Sequence, residues 1–379
     1  MEISTSTLFG LIAVLLFMAG LTWVVMRAMP RTRGKLRTET ARLDAAGRQS
    51  AATLLQGWSS AGRRALAAGL AVFLACRLAS TLWTNAVINA VLQDPLTTVS
   101  SHYDDAAPWT LGLLAPVLAA LVALGVLAWS VYRRRTTDTA TGTATSAELR
   151  PRGALSFGPR WALAIPALTA VVLCTWLVVT GLFSSRDARG RFTQLAVERH
   201  IAADDPALGY VGPLTTQTVT ANFPGWFVAV PAITATLALL ALTVLVLHRL
   251  AQNPRPTDAR LFGVDDLART LKAKLVATLA GAGLVATLGT VATGTGGALA
   301  TLAGDMRMGA EGVEFFYHEA MLSGYWIYLA GVLLGLLALL LLVVAFGSVL
   351  ELAAARRAAN AAAPEHGTTD RNPEGVLPT

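Results

Sequence analysis

Charged residues are scarce in this sequence of 379 residues, where Asp, Glu, Lys and Arg together make up only 14%. A soluble domain of this size usually carries about 25%. Hydrophobic residues reach 54% of the chain, so most of it needs a solvent other than water. The composition therefore argues against an ordinary soluble globular protein and indicates a membrane protein.

Cysteine and catalytic motifs are also nearly missing. The two cysteines, Cys76 and Cys174, lie in apolar runs, and neither has a neighbour at Cys-x-x-Cys spacing. The sequence contains no P-loop, no His-Glu-x-x-His and no Gly-x-Ser-x-Gly pattern. We therefore predict no cofactor and no nucleic-acid partner, and no motif indicates an enzyme class.

Seven apolar stretches are long enough to cross the hydrocarbon core of a membrane, which takes roughly 20 helical residues. The sequence predicts an all-α, polytopic transmembrane helix bundle over residues 1–352, followed by a flexible cytoplasmic tail over residues 353–379. The predicted spans are Leu8–Met26, Ala65–Asn85, Thr110–Tyr132, Trp161–Phe183, Phe227–Leu247, Leu275–Leu299 and Trp326–Val349.

The distribution of basic residues predicts the orientation of the bundle. Segments 27–64, 133–160, 248–274 and 350–379 carry 24 of the 30 Lys and Arg residues, whereas the three alternate loops carry five. Because basic segments stay in the cytoplasm, we expect a multi-pass protein of the plasma membrane with its N-terminus outside and its C-terminus inside. Its first partner is then the lipid bilayer. The excess of arginine over lysine, 27 to 3, favours a GC-rich bacterial source.

Spans two to seven predict three consecutive hairpins after one lone helix. In each hairpin the returning span opens with an aromatic anchor, at Trp109, Trp226 or Trp326, and then carries Pro116, Pro231 or Gly331. A threefold duplication would explain this pattern. Positive loops and interfacial tryptophans in any multi-pass protein would explain it equally.

Four local predictions concern the sixth span, the segment before it, the first cytoplasmic loop and the largest outer loop. Glycines and threonines alternate over Gly281–Gly297, which predicts a helix in the bundle interior, bent or unwound near Gly294–Gly297. Asp265–Lys274 is predicted to be a helix that leads into this span. Trp58 indicates either a helix on the inner leaflet or a simple turn. Arg191–Ile201 is predicted to be a short amphipathic helix.

Arg77 is the one charged residue inside a predicted span. It lies about 18 Å along the helix from the cytoplasmic end of that span, and a cation at such depth costs at least about 2.5–3.5 kcal/mol. No span contains Asp or Glu to pair with it. Thr81, Thr84 and Asn85 share its helical face. These four residues predict an intramembrane polar site that faces a water-filled cavity, an outer-loop acid such as Asp104 or Asp105 that reaches into the bundle, an anionic ligand or a protein partner. The alternative is a structural arginine that binds backbone carbonyls.

Histidines and acids cluster in the three outer loops. Imidazole and carboxylate together suit a transition metal, although the spacing matches no defined site. The weak candidate ligands are His102, Asp104, His200, His318 and Glu319.

Three functions remain open from the sequence. The preferred one is a transport or channel-like subunit, or the membrane component of a larger complex, without enzymatic activity. A metal-dependent membrane enzyme at the outer face is the second, and a membrane sensor or anchor is the third.

Overall fold

A computed structural model describes residues 34–93, 106–138, 160–201, 204–205, 210–211, 215–253, 256, 258–309, 312–317 and 319–361. The chain is mostly helical within these ranges. The helices are α1 Lys35–Ala41, α2 Ala45–Gln93, α3 Ala106–Asp138, α4 Arg160–Phe183, α5 Trp226–Gln252, α6 Phe262–Ala303 and α7 Glu319–Ala361. A single 3-10 turn, Ala259–Leu261, precedes α6.

The six helices α2–α7 are long and apolar enough to cross a membrane, and each contains one of the predicted spans two to seven. The chain is accordingly a multi-pass membrane protein by helix length and composition. The first predicted span, Leu8–Met26, lies outside the described residues. The three predicted hairpins α2–α3, α4–α5 and α6–α7 each pack as neighbouring helices, and a common duplication stays a prediction.

One end of the bundle is rich in basic residues and the other carries strands. We call them the basic end and the strand end. At the basic end the helices run well past the predicted spans. Trp58 belongs to the continuous helix α2 and is only 3% exposed, so it marks neither a turn nor a surface helix. Asp265–Lys274 is the first part of α6, as predicted. Helix α7 continues to Ala361, and the rest of the predicted tail lies outside the described residues.

Helix α6 occupies the centre of the bundle. In its most apolar window 89% of the residues are buried, compared with 11% in the corresponding window of α2. It contacts α2, α3, α4, α5 and α7. The sequence prediction of an interior sixth helix is confirmed.

Helices α6 and α7 approach each other through glycine. A Cβ added at Gly289 would lie 2.8 Å from the carbonyl oxygen of Gly331, and one at Gly296 would lie 2.5 Å from that of Gly324. Both glycine pairs are seven residues apart, which keeps the contact on one seam of an antiparallel helix pair. The α6–α7 seam is therefore defined by Gly289, Gly296, Gly324 and Gly331. Gly331, which the sequence pattern singles out in the third hairpin, allows this close packing of α7 against α6.

Two more glycines and two threonine hydroxyls of α6 contact the neighbouring helices α3 and α4. Gly283 lies against Ala120 of α3, and Gly281 lies against Ile165 of α4. The Thr290 hydroxyl donates to the Leu113 carbonyl at 3.2 Å, and Trp176 Nε1 donates to Thr295 Oγ1 at 3.4 Å. These contacts confirm hydroxyl bonding across helices. The predicted unwinding does not occur, because α6 stays helical to Ala303.

The strand end is built from short antiparallel strands. They are β1 Ser185–Arg186, β2 Phe192–Ile201, β3 Asp204–Asp205, β4 Tyr210–Val211, β5 Thr215–Asn222, β6 Gly304–Gly309 and β7 Gly312–Tyr317. Strand order in the largest sheet is β1-β2-β5, while β3–β4 and β6–β7 form two pairs. The helix predicted over Arg191–Ile201 is wrong, because this segment pairs with β5 from Gln194–Asn222 to Ile201–Thr215. Cross-strand pairing with a threonine-rich strand overrides a local helical pattern.

Asp187 holds the turn between β1 and β2. Its carboxylate accepts hydrogen bonds from the backbone N–H of Arg191 at 2.7 Å, from Arg191 Nε at 2.8 Å and from Thr193 Oγ1 at 3.0 Å. Burial alone would raise the pKa of Asp187, but the bonds from Arg191 and Thr193 outweigh it and lower the pKa below its ordinary value. Gly190 completes the turn at a φ of +77°, in the left-handed region.

Candidate functional site

Arg77 lies on the outer surface of the bundle. Its side chain is exposed on α2, and the leucines of the same surface are also exposed. We call this surface the α2 face. It is defined by Arg77 together with Leu70, Leu74, Leu78 and Leu82, whose exposed fractions lie between 55% and 59%. The surroundings of Arg77 are thus those of a lipid-facing or partner-facing surface rather than the wall of an internal cavity.

The position of Arg77 on α2 is inside the predicted second span, twelve residues from Ala65 and eight from Asn85, or about 18 and 12 Å of helix. A Cβ added at Gly112 of α3 would lie 3.7 Å from Arg77 Nη1. Gly112 follows Thr110, the outer end of the predicted third span, by two residues. The guanidinium of Arg77 therefore extends toward the strand end, while the Arg77 backbone lies inside the predicted second span.

The remaining members of the predicted polar site are on the same helix. The Thr81 hydroxyl is exposed and donates to the carbonyl of Arg77 at 2.9 Å. Thr84 and Asn85 follow on α2, where the structure describes their backbone alone. Within the described ranges no ion pair involves Arg77. Thr81 is therefore the only one of its three predicted neighbours for which a contact is seen.

A buried charge cluster at the basic end was not predicted. Arg269 and Asp265 of α6 are 2% and 4% exposed and form an ion pair of 2.8 Å. Arg269 also donates to the carbonyl of Asn253 at 2.8 Å, so it binds the C-terminal end of α5. Nearby, Lys272 Nζ lies 5.0 Å from the ring centre of Trp58. We call Asp265, Arg269, Lys272 and Trp58 the basic-end cluster.

The basic-end cluster joins three helices and offers little to a reacting substrate. The guanidinium of Arg269 donates to the Asp265 carboxylate and to the last carbonyls of α5. Lys272 is only 4% exposed, so a solute has little access to its ammonium group. An acid four residues before an arginine was a readable signal of the Asp265–Arg269 pair. The burial of the pair could not be predicted from the sequence, because the helices that pack against α6 at this end, α1, α2 and α5, are distant from it in the chain.

The histidine and acid candidates are only partly covered. His200 lies on β2 opposite Thr216, and Glu319 is the first residue of α7. His102, Asp104 and His318 lie outside the described residues. Among the residues that were described, no three His, Cys, Asp or Glu side chains lie together as metal ligands would. The metal site stays an untested prediction.

Comparisons with protein-family models, with curated proteins and with solved structures find no match to this chain. The functional interpretation therefore depends on the chemistry of the α2 face and of the bundle interior.

Proposed function

We propose that this chain is the membrane component of a larger assembly, joined to a partner protein through Arg77 on the α2 face. The supporting observation is an exposed cation inside the predicted second span, about 12 Å of helix from its outer end at Asn85. Holding a cation among lipid tails is costly unless an opposite charge or water reaches it. A carboxylate in a transmembrane helix of the partner would offset this cost and fix the register of the two proteins.

We assign this carboxylate to another molecule and not to the outer-loop acids Asp104 and Asp105, which lie outside the described residues. None of the seven predicted spans, including Leu8–Met26, contains Asp or Glu. The exposed leucines on both sides of Arg77 supply the apolar contact that a partner helix needs. An Arg–carboxylate pair is short and directional, so it also gives specificity.

The packing of α6 favours a scaffold over a pore. Along the α6–α7 seam the two backbones touch, and the Gly289 and Gly296 positions leave no room even for a Cβ. A path for a solute therefore does not run between these two helices. This supports the membrane-component interpretation over the transport or channel-like one.

Orientation belongs to the same proposal. With 24 of 30 basic residues in the four basic segments, the basic end faces the cytoplasm and the strands face outward. The plasma membrane, an extracellular N-terminus and a cytoplasmic C-terminus follow from that assignment.

The test is replacement of Arg77 in the full chain, expressed in its native membrane and extracted in mild detergent. We expect Arg77→Ala to lose a stoichiometric protein partner that the wild type retains, because the partner's carboxylate would lose its counter-charge. Arg77→Lys should keep part of the complex. Arg64→Ala is the matched control, since it removes an exposed cation from the same helix outside the predicted span. Native mass spectrometry measures the stoichiometry.

Two outcomes overturn the proposal. One is an Arg77→Ala complex as complete as that of the wild type. The other is a wild type that carries no protein but loses a bound anionic lipid in Arg77→Ala, which would assign Arg77 to a lipid phosphate.

A further inference from the structure

The outward surface of α7 carries a continuous apolar stripe. Its members are separated by three or four residues, which places them on one side of the helix. We call it the α7 stripe: Tyr325, Tyr328, Val332, Leu336, Leu339, Val343, Phe346 and Leu350, each between 41% and 59% exposed. The α6–α7 seam lies on another side of α7, roughly 100–160° around the helix from most members of the stripe. In the described part of the chain, α7 therefore has one side packed and one side open.

The first described residue, Gly34, lies at the basic end of the α7 stripe. The backbone N–H of Gly34 donates to Glu351 Oε1 at 3.1 Å, one residue beyond Leu350. Helix α1 follows at once and packs against α7 and α6, with Leu36 fully buried. Gly34 is thereby held against the last part of α7.

We propose that the segment Leu8–Met26 covers the α7 stripe, running parallel to α7 from the strand end to the basic end. As a helix its 19 residues measure about 28 Å, and the stripe from Tyr325 to Leu350 measures about 38 Å. Only seven residues separate Met26 from the anchor at Gly34. Arg27, Arg31 and Arg33 of this short connection then lie at the basic end, with the other cations.

The composition of the segment favours a helix contact over lipid alone. It contains no charged residue, and Ala13 and Gly20 recur seven residues apart. Small residues at this interval are the feature that brings α6 and α7 together. They let a helix approach large side chains such as Tyr328 and Phe346 closely, which gains dispersion contacts that mobile lipid tails do not give.

Disulfide cross-linking in the membrane tests the proposal. In a background with Cys76→Ser and Cys174→Ser, each of Leu15, Leu16, Phe17 and Met18 is changed to Cys, one at a time. Each is combined with Leu339→Cys on the α7 stripe. The matched control is Leu237→Cys on α5, which is 57% exposed where Leu339 is 59% exposed. Oxidation is followed by the gel mobility of the monomer.

We expect one or two of the four positions to cross-link to Leu339→Cys within a single chain and none to cross-link to Leu237→Cys. This periodic result is what one helix face against another produces. Equal cross-linking to both helices, or none to Leu339→Cys, would overturn the proposal. A disulfide-linked dimer of Leu339→Cys alone would overturn it as well, because a second copy of the chain would then cover the stripe.

Discussion

Replacing Gly296 by alanine is expected to destabilise the bundle by about 1–3 kcal/mol, the usual cost of forcing extra volume into a packed interior. The new Cβ would overlap the backbone N of Tyr328 and lie 2.5 Å from the carbonyl oxygen of Gly324. Both obstacles are backbone atoms, so no side-chain rotation can relieve them. The α6–α7 seam would have to open, and the hydroxyl bonds that α6 makes to α3 and α4 would be strained with it.

The neighbouring residue provides the control. A Cβ added at Gly297 meets nothing within 4 Å, and alanine has the higher helix propensity, so Gly297→Ala should be neutral or slightly stabilising. The measurement is the Tm of each purified variant in detergent, followed by tryptophan fluorescence. Equal Tm values for Gly296→Ala and Gly297→Ala would show that the seam is not as close as described.

Replacing Arg269 by methionine is expected to destabilise the chain by about 3–5 kcal/mol, since it leaves a buried carboxylate without its counter-charge. Asp265 is 4% exposed and cannot recover its hydration without a rearrangement of the basic end. The end of α5 would also lose the donor that binds the Asn253 carbonyl. The free energy of unfolding in mixed micelles of increasing SDS content measures the loss.

A double variant separates the ion pair from simple packing. Asp265→Leu/Arg269→Met removes both charges of the ion pair and leaves no unpaired carboxylate at position 265, so its loss of stability should be smaller than that of Arg269→Met alone. Arg260→Met is the exposed control, because Arg260 pairs with Asp44 at 2.7 Å where both side chains are more than half exposed. A pair of this kind contributes little. A double variant less stable than the single one would contradict the account of Asp265.

The membrane helices could be predicted because each contains a long run of apolar residues, which a local window of the sequence detects. Each of α2–α7 contains its predicted span, and the central position of α6 followed from its glycines and threonines. The contact of those glycines with α7 was not predicted, although a seven-residue repeat in the sequence indicates it. Small or apolar residues recur every seven positions in both helices of the seam: Ala268, Leu275, Ala282, Gly289 and Gly296 in α6, and Gly324, Gly331, Ala338, Ala345, Leu352 and Ala359 in α7.

Features that depend on distant pairing could not be predicted. Strand β2 requires β5, whose first residue lies fourteen positions after Ile201 in the sequence, and a local window cannot see that pairing. The outward direction of Arg77 has the same origin. The sequence places Arg77 within a span, but only the packing of α2 against α3 and α7 decides which side of the helix stays open.

The most direct measurement of the central claim is photo-cross-linking from the α2 face in the native membrane. A benzophenone amino acid replaces Leu78, which is 59% exposed beside Arg77, and in a second variant it replaces Leu168 of α4, which is 67% exposed. We predict a protein adduct of one defined mass from position 78, lost when Arg77→Ala is added, and none from position 168. Lipid adducts alone at both positions would contradict the claim that a partner protein binds the α2 face.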